Sequence, residues 1–180
     1  LYGDVERPAD EAIPLHPRSY YAAGKAASEH FIEAWCRQHG GSATVLRPSN
    51  VYGPGQSLHG RFGVIPAAMG CIRQGTSMTL WGDGASLRDY LYIDDFVTAC
   101  LAALRRPSHG TCRVLNVCSG EATRLSELLE QIERVAGQAL LRDLRPARAV
   151  DLHSVLLDGR RARTELTWAP QTPLHEGLRK

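Results

Sequence analysis

Hydrophobic positions along the chain alternate between a helical and an extended spacing. Apolar residues recur every three to four positions over residues 20–38, which predicts a helix capped by Ser19 and ended by the sequence HGG. An uninterrupted apolar run at residues 43–46 predicts a short buried strand. Residues 1–18 are rich in proline and predict a loop. The chain therefore opens as loop, helix and strand.

The same alternation continues to the end of the chain. The glycines and prolines of RPSNVYGPGQ predict an irregular loop, and residues 62–74 predict a helix. Asp94 or Asp95 is predicted to open the helix that continues through DFVTACLAALRR. Alternating helices and strands favour the α/β fold class. The other predicted elements are strands at MTLW, LRDYLYI and CRVLNVC, an amphipathic helix at RLSELLEQIERVAG, and short helices at RARTELTW and PLHEGLR.

Composition narrows the range of partners. The chain is 43% hydrophobic and 22% charged, as expected of a globular domain, and its net charge of +2 gives no reason to expect nucleic acid or an anionic membrane. No apolar run reaches membrane-spanning length, and no signal peptide opens the chain. The five cysteines form no CxxC pair and no metal-ligand cluster with the histidines, which predicts reduced thiols and a cytoplasmic location. The start at Leu1 rather than Met is typical of a piece of a longer protein.

Tyr21 and Lys25 are the first candidates for chemistry. They are four residues apart in the predicted helix, so they share one face. A tyrosine is a poor base at neutral pH because a phenol ordinarily has a pKa of about 10, and a desolvated ammonium together with a second cation lowers that value. The residues alone leave two interpretations open, an acid/base pair or two polar residues on one helical face.

Six motifs in order resemble the NAD-dependent epimerase/dehydratase family, the extended short-chain dehydrogenases that act on nucleotide sugars, and within it UDP-glucose 4-epimerase-like enzymes. The motifs are LYG, YYAAGK, LRPSNVYGPGQ, WGDGASLRDYLYIDD, LNVCSGE and RPARAVDLHSVLLDGRRARTELTWAP. The resemblance implies the C-terminal part of a Rossmann-like doubly wound parallel sheet plus a smaller α/β substrate-binding subdomain. Residues 1–55 would belong to the NAD-binding part and residues 56–180 mainly to the substrate subdomain, with residues 94–118 returning to the sheet.

The resemblance also implies the catalytic and cofactor-binding roles. Tyr21 would be the acid/base that takes a proton from a sugar hydroxyl while NAD accepts the hydride. Lys25 would hold the nicotinamide ribose hydroxyls, and its charge would favour the phenolate. A homodimer is implied as well, because the family uses this helix in a four-helix interface.

The substrate-binding residues follow from the same resemblance. Asn50, Arg88 and Arg148 would bind the diphosphate of a nucleotide sugar, a UDP-sugar above all, and Asp151 would face ribose hydroxyls. The alternatives are an Asx-turn for Asn50 and surface ion pairs with Asp89 or Asp151 for the two arginines.

Leu80 and Trp81 stand where the family lays a strand and an aromatic side chain against the base. A buried core tryptophan is the alternative for Trp81. His16, His30 and His59 are predicted to be surface residues, and Asp94 and Asp95 to mark a helix start rather than a catalytic carboxylate pair. The amphipathic helix over residues 124–135 is predicted to be a packed outer helix.

The departures from the family leave the reaction open. The glycine-rich GxxGxxG turn that receives the cofactor pyrophosphate does not occur in the sequence. The family's catalytic Ser or Thr, and the Asp-Glu pair of its dehydratases, would precede Leu1. We therefore expect a 4-epimerase, with a 4,6-dehydratase, a 4-keto reductase or a non-catalytic nucleotide-sugar-binding fragment as alternatives. A chain that cannot fold alone is a further alternative.

Overall fold

The computed structural model describes residues 1–58, 63–106, 110–148 and 151–180. Helices and strands alternate in these ranges, and the strands of most pairs run parallel, so the predicted α/β class is confirmed. The elements are α1 Tyr20–His39, β1 Ala43–Pro48, β2 Asn50–Tyr52, α2 Val64–Gln74, β3 Met78–Trp81, β4 Leu87–Arg88, β5 Tyr90–Tyr92, α3 Ile93–Arg105, β6 Cys112–Val117, β7 Thr123–Arg124, α4 Leu125–Ala136, β8 Arg142–Arg145, β9 Ser154–Val155, α5 Arg160–Leu166 and α6 Leu174–Gly177.

Three parallel strand pairs organise the chain. β1 pairs with β6, which places Val45 opposite Val114 and Leu46 opposite Leu115. β2 pairs with β5, and β3 pairs with β8. β4 lies between β7, which is antiparallel to it, and β9, which is parallel. Parallel partners need long connections, and in this chain those connections contain the helices.

The core is built largely from the predicted apolar faces. One cluster contains Ile65 and Ile72 of α2 together with Leu129 and Ile132 of α4. The prediction of a packed amphipathic helix over residues 124–135 is therefore confirmed. Burying each such side chain contributes about 1.5–3 kcal/mol. A second cluster surrounds β6, where α3 and α5 pack against it.

The helix α1 has the predicted boundaries to within one residue. The side chain of Ser19 accepts the backbone N–H of Ala22 at 3.1 Å and caps the first turn. Gly40 ends the helix in the left-handed conformation, with φ of 62°. A Cβ atom on Gly41 would lie 2.1 Å from the ring of Trp35, so a larger residue there would displace this half-exposed side chain. These contacts direct the chain from α1 into β1.

The single strand predicted through LRDYLYI is wrong. Asp89 interrupts it, and the two halves, β4 and β5, pair with different strands. Asp89 is only 1% exposed. Its carboxylate accepts hydrogen bonds from Ser49 Oγ, Ser119 N and Gly120 N. A buried carboxylate needs such donors. The chain passes from one sheet to the next at Asp89, where these donors are present.

Other differences concern short elements. The irregular loop predicted after β1 contains β2, which ends at Tyr52 and is followed by Gly53 with φ of 144°. The short strands β7, β8 and β9 were not predicted, because two to four residues show no clear alternation. The helix predicted over residues 62–74 begins at Val64, and both residue 62 and His59 lie outside the described residues.

Several polar residues were predicted to have surface or helix-start positions rather than catalytic roles. His16 and His30 are exposed. The helix predicted to open at Asp94 or Asp95 begins at Ile93, so both carboxylates lie in its first turn. Asp95 is buried and accepts backbone N–H groups of the chain near the C-terminus. No helix in the described ranges has the length and apolarity needed to cross a bilayer.

Candidate functional site

The predicted site residues meet at one open cleft of about 610 Å³. Its volume is within the range of small-molecule sites, about 300–1,000 Å³. Seven of the eight predicted residues line it, and Lys25 is the exception. The seven are Tyr21, Asn50, Leu80, Trp81, Arg88, Arg148 and Asp151.

Tyr21 and Lys25 lie on the surface of α1 rather than in the core. Tyr21 is 73% exposed and its side chain borders the cleft. The Nζ atom of Lys25 is 5.7 Å from the centroid of the Tyr21 ring. The phenol is therefore accessible to a ligand, with a cation one helical turn away.

A buried ionic network holds α1 against the sheet. The Nε atom of Arg47 donates to both carboxylate oxygens of Glu29, at 3.0 and 3.1 Å. These side chains are only 9% and 13% exposed. Arg47 also donates to the hydroxyl of Tyr2, which donates to Asn116 Oδ1 at 2.8 Å. Because Glu29 is one turn beyond Lys25, the network fixes the part of α1 that carries the candidate pair.

Asn50 is a strand residue whose side chain faces the cleft. Its backbone N–H and its Nδ2 group both donate to the carbonyl oxygen of Asp89, at 3.0 and 2.9 Å. The Asx-turn alternative is therefore wrong. The second Nδ2 hydrogen and the amide oxygen have no hydrogen-bond partner in the part of the chain that the structure describes.

Arg88 organises one wall of the cleft. Its guanidinium donates to three carbonyl oxygens, of Leu87 at 2.7 Å, Leu152 at 2.8 Å and His153 at 3.3 Å. Burial lowers the pKa of Arg88, although an arginine remains charged in proteins. The surface ion pair proposed as its alternative does not form in the structure. Arg88 thus ties residues 152–153 to β4.

Arg148 is held by two side chains. Its Nε and Nη2 atoms donate to the carboxylate of Asp151 at 3.0 and 2.7 Å, and this hydrogen bonding lowers the pKa of Asp151. The Cζ atom of Arg148 lies 4.8 Å from the centroid of the Trp81 ring. Trp81 is 43% exposed, so the buried-core alternative is wrong, whereas Leu80 is buried in the core beside the cleft. The ion pair with Asp151, which is the alternative interpretation of Arg148, is present, and it lies at the cleft.

Two residues of this region were missed from the sequence. Tyr90 lines the cleft, and burial raises its pKa to about 12, so the phenol stays protonated and can donate a hydrogen bond at neutral pH. Nothing in LRDYLYI distinguished it from a core tyrosine. Asp89 positions Asn50, because its carbonyl oxygen accepts the hydrogen bond from Asn50 Nδ2. The sequence signal for Asp89 was an acidic residue inside an apolar strand pattern.

Asp4 anchors the loop that completes the wall of the cleft. Its carboxylate accepts the N–H of Ser154 at 2.6 Å and that of His153 at 3.1 Å, and these bonds, the first above all, hold the pKa of Asp4 below its usual 3.8. A lowered folded-state pKa stabilises the fold above the unfolded pKa of about 3.9, and the contribution disappears as the pH falls through the folded-state value.

The Asp4→Asn variant should therefore lose about 1 kcal/mol of unfolding free energy at pH 7, a small figure because the carboxylate is exposed. The difference from the wild type should shrink below about pH 4. Urea unfolding between pH 7 and pH 3 measures both values. Glu6→Gln neutralises an exposed carboxylate in the same loop and is the control. An equal loss in both variants would argue against the anchoring role.

With the geometry in place, comparison with known proteins identifies the family. A model described as "NAD dependent epimerase/dehydratase family" matches residues 1–118. The chain belongs to this family. UDP-glucose 4-epimerase of Mycolicibacterium smegmatis is 36% identical over 173 residues, 96% of this chain and 55% of the relative. The dTDP-4-dehydro-6-deoxyglucose reductase of Escherichia coli is 31% identical over 180 residues, 100% of this chain and 56% of the relative.

A solved epimerase/dehydratase family structure has the same fold. The crystal structure of UDP-glucose 4-epimerase with UDP-glucose from Thermotoga maritima superposes with a TM-score of 0.91 at 32% identity, covering 99% of this chain and 57% of that one. This chain thus spans a little over half the length of the proteins it resembles. Its family comprises NAD-dependent nucleotide-sugar enzymes, and the similar proteins include both an epimerase and a reductase.

Proposed function

We propose that this chain contributes the substrate site and the acid/base pair of an NAD-dependent nucleotide-sugar 4-epimerase acting on a UDP-sugar. The observation that carries the proposal is the convergence of a phenol, two guanidiniums and an amide on one cleft, from Tyr21, Arg88, Arg148 and Asn50. The similarity to UDP-glucose 4-epimerases supports the choice of reaction and substrate.

The acid/base step falls to Tyr21. As phenolate, Tyr21 removes the proton from the sugar 4-hydroxyl and later returns it. Between these two steps the 4-keto sugar rotates within the cleft. NAD, when bound, supplies hydride acceptance and return at the same carbon. Lys25 would hold the nicotinamide ribose hydroxyls and favour the phenolate. An exposed phenol at the edge of the cleft and an exposed ammonium one turn further along α1 fit that cofactor.

The remaining residues bind the nucleotide diphosphate. Among the described residues that line the cleft, two guanidiniums, from Arg88 and Arg148, face one carboxylate, from Asp151. The resulting net positive charge would meet the diphosphate, and Asn50 adds an amide. Asp151 also faces the ribose. Leu80 and Trp81 form the wall for the base.

Two broader proposals accompany this assignment. Residues 1–55 form the end of the NAD-binding part and residues 56–180 mainly the substrate subdomain; the pairing of β6 with β1 supports the return of residues 94–118 to the sheet. The protein forms a homodimer through α1, and the exposed side chains of Phe31 and Trp35 on that helix support the interface.

Binding of UDP to the full-length polypeptide that carries this sequence tests the substrate site. Arg148→Ala should weaken UDP binding at least about tenfold, because it removes charge-assisted hydrogen bonds to phosphate. Arg145→Ala removes an exposed arginine three residues away that pairs with Asp143, and it should leave the affinity unchanged. Calorimetric titration measures both. Absence of UDP binding by the wild-type chain would overturn the proposed site.

Product analysis distinguishes the reactions. The full-length polypeptide that carries this sequence is incubated with UDP-glucose and NAD and followed by NMR. UDP-galactose without net reduction of the cofactor is the expected product. A 4-keto-6-deoxy sugar would favour a dehydratase, and consumption of reduced cofactor on a 4-keto sugar would favour a reductase. UDP binding without turnover would favour a nucleotide-sugar-binding protein.

A further inference from the structure

Arg148 is restrained on one face and on one edge of its guanidinium. The ring of Trp81 covers the face, with Cζ 4.8 Å from the ring centroid. The carboxylate of Asp151 binds the Nε and Nη2 edge at 3.0 and 2.7 Å. Of its five N–H groups, the two on Nη1 and one on Nη2 have no hydrogen-bond partner among the described residues. Since the side chain lines the cleft, these groups are the ones that a ligand there can meet.

The indole of Trp81 stands on a fixed part of the backbone. Trp81 is the last residue of β3, which pairs in register with β8. The N–H of Gly82 donates to the carbonyl of Arg145 at 2.9 Å. A Cβ atom on Gly82 would lie 3.5 Å from Cβ of Ala147, so the chain leading to Arg148 passes close to the residue after Trp81. Trp81 is therefore carried by one strand of the pair, and Arg148 by the segment that follows the other strand, β8.

We propose that Trp81 is a positioning residue of the diphosphate site, whose ring holds the guanidinium of Arg148 so that its unpaired N–H groups meet the ligand phosphates. The inference rests on the proposed function. An arginine side chain loses rotamer freedom when it binds a ligand, and a side chain already restrained by stacking and pairing loses less. Trp81 thus acts on the phosphates through Arg148, in addition to its smaller contribution to the nucleoside as part of the wall for the base.

A double-mutant cycle on the full-length polypeptide that carries this sequence tests this role, with UDP as the ligand. Trp81→Leu should weaken UDP binding about three- to tenfold. This range is expected when a partly exposed cation–π contact is lost together with the restraint that it places on the Arg148 side chain. In the Arg148→Ala background the same substitution should change the affinity less than twofold. Trp81→Phe keeps an aromatic face and should restore most of the wild-type affinity.

Uridine separates the positioning role from base stacking, since it has the base and ribose but no phosphate. Its affinity, measured by ligand-observed NMR, should be unchanged by Trp81→Leu to within twofold. Equal weakening of uridine and UDP, additive effects of Trp81→Leu and Arg148→Ala, or no effect of Trp81→Leu on UDP would each overturn the inference while leaving the proposed function standing. Failure of the wild-type chain to bind UDP would overturn both.

Discussion

The Tyr21→Phe variant is expected to lose two to four orders of magnitude in kcat, because general acid/base catalysis by a positioned side chain contributes about 10²–10⁴-fold. The substitution removes one hydroxyl from an exposed ring at the edge of the cleft. Asn50, Arg88 and Arg148 are untouched, so UDP-sugar affinity should stay within about threefold. Steady-state kinetics of the full-length polypeptide and calorimetric titration with UDP measure the two quantities.

Tyr20 provides a matched control for this experiment. It precedes Tyr21 in α1, is fully exposed, and is not among the described residues that line the cleft. Tyr20→Phe makes the same chemical change one position away and should leave kcat unaltered. If Tyr21→Phe kept more than about a tenth of wild-type turnover, the assignment of Tyr21 as acid/base would be wrong.

Removing Arg47 should give the largest loss of stability. Arg47→Leu leaves the carboxylate of Glu29 buried between α1 and the sheet without its cation. Breaking a buried pair in this way costs about 3–5 kcal/mol, because the remaining charge is desolvated and uncompensated. The hydrogen bond to Tyr2 is lost as well. Urea unfolding of the wild type and the variant, followed by circular dichroism, gives the difference in unfolding free energy.

An exposed pair on the same helix is the control. Arg37 bonds to Glu33 with side chains 78% and 43% exposed, so Arg37→Leu should cost less than about 1 kcal/mol. Replacing both Arg47 and Glu29 by leucine should recover most of the stability lost in Arg47→Leu, since no unpaired charge is left. Equal costs for Arg47→Leu and Arg37→Leu would contradict the buried network.

The local pattern of hydrophobic and capping residues predicted the long helices well and the short strands poorly. The helix α1 was predictable because its cap, apolar spacing and terminal glycine are all near neighbours in sequence. The break at Asp89 was not, because the donors that satisfy its carboxylate come from Ser49 and from the chain after β6. A strand of two residues such as β4 exists only because its partners, β7 and β9, lie beside it.

The candidate site shows the same division. Motif order indicated which residues to expect at a nucleotide-sugar site, and all but Lys25 line the cleft. The pairing of Arg148 with Asp151 was among the alternatives considered, but the partners of Arg88 were not predictable, because they are carbonyl oxygens of residues 152–153, far away in sequence. The stack of Arg148 on Trp81 likewise joins residues 67 positions apart.

The amino-acid sequence by itself determined the α/β class, the main helices, the family and the identity of the candidate residues, because spacing and motif order are properties of the chain. Only the tertiary structure decided which groups of those side chains are already bonded and which face the cleft. The reason is physical: hydrogen bonds and stacking act over a few ångströms between atoms that the fold brings together, and periodicity carries no information about such distant partners.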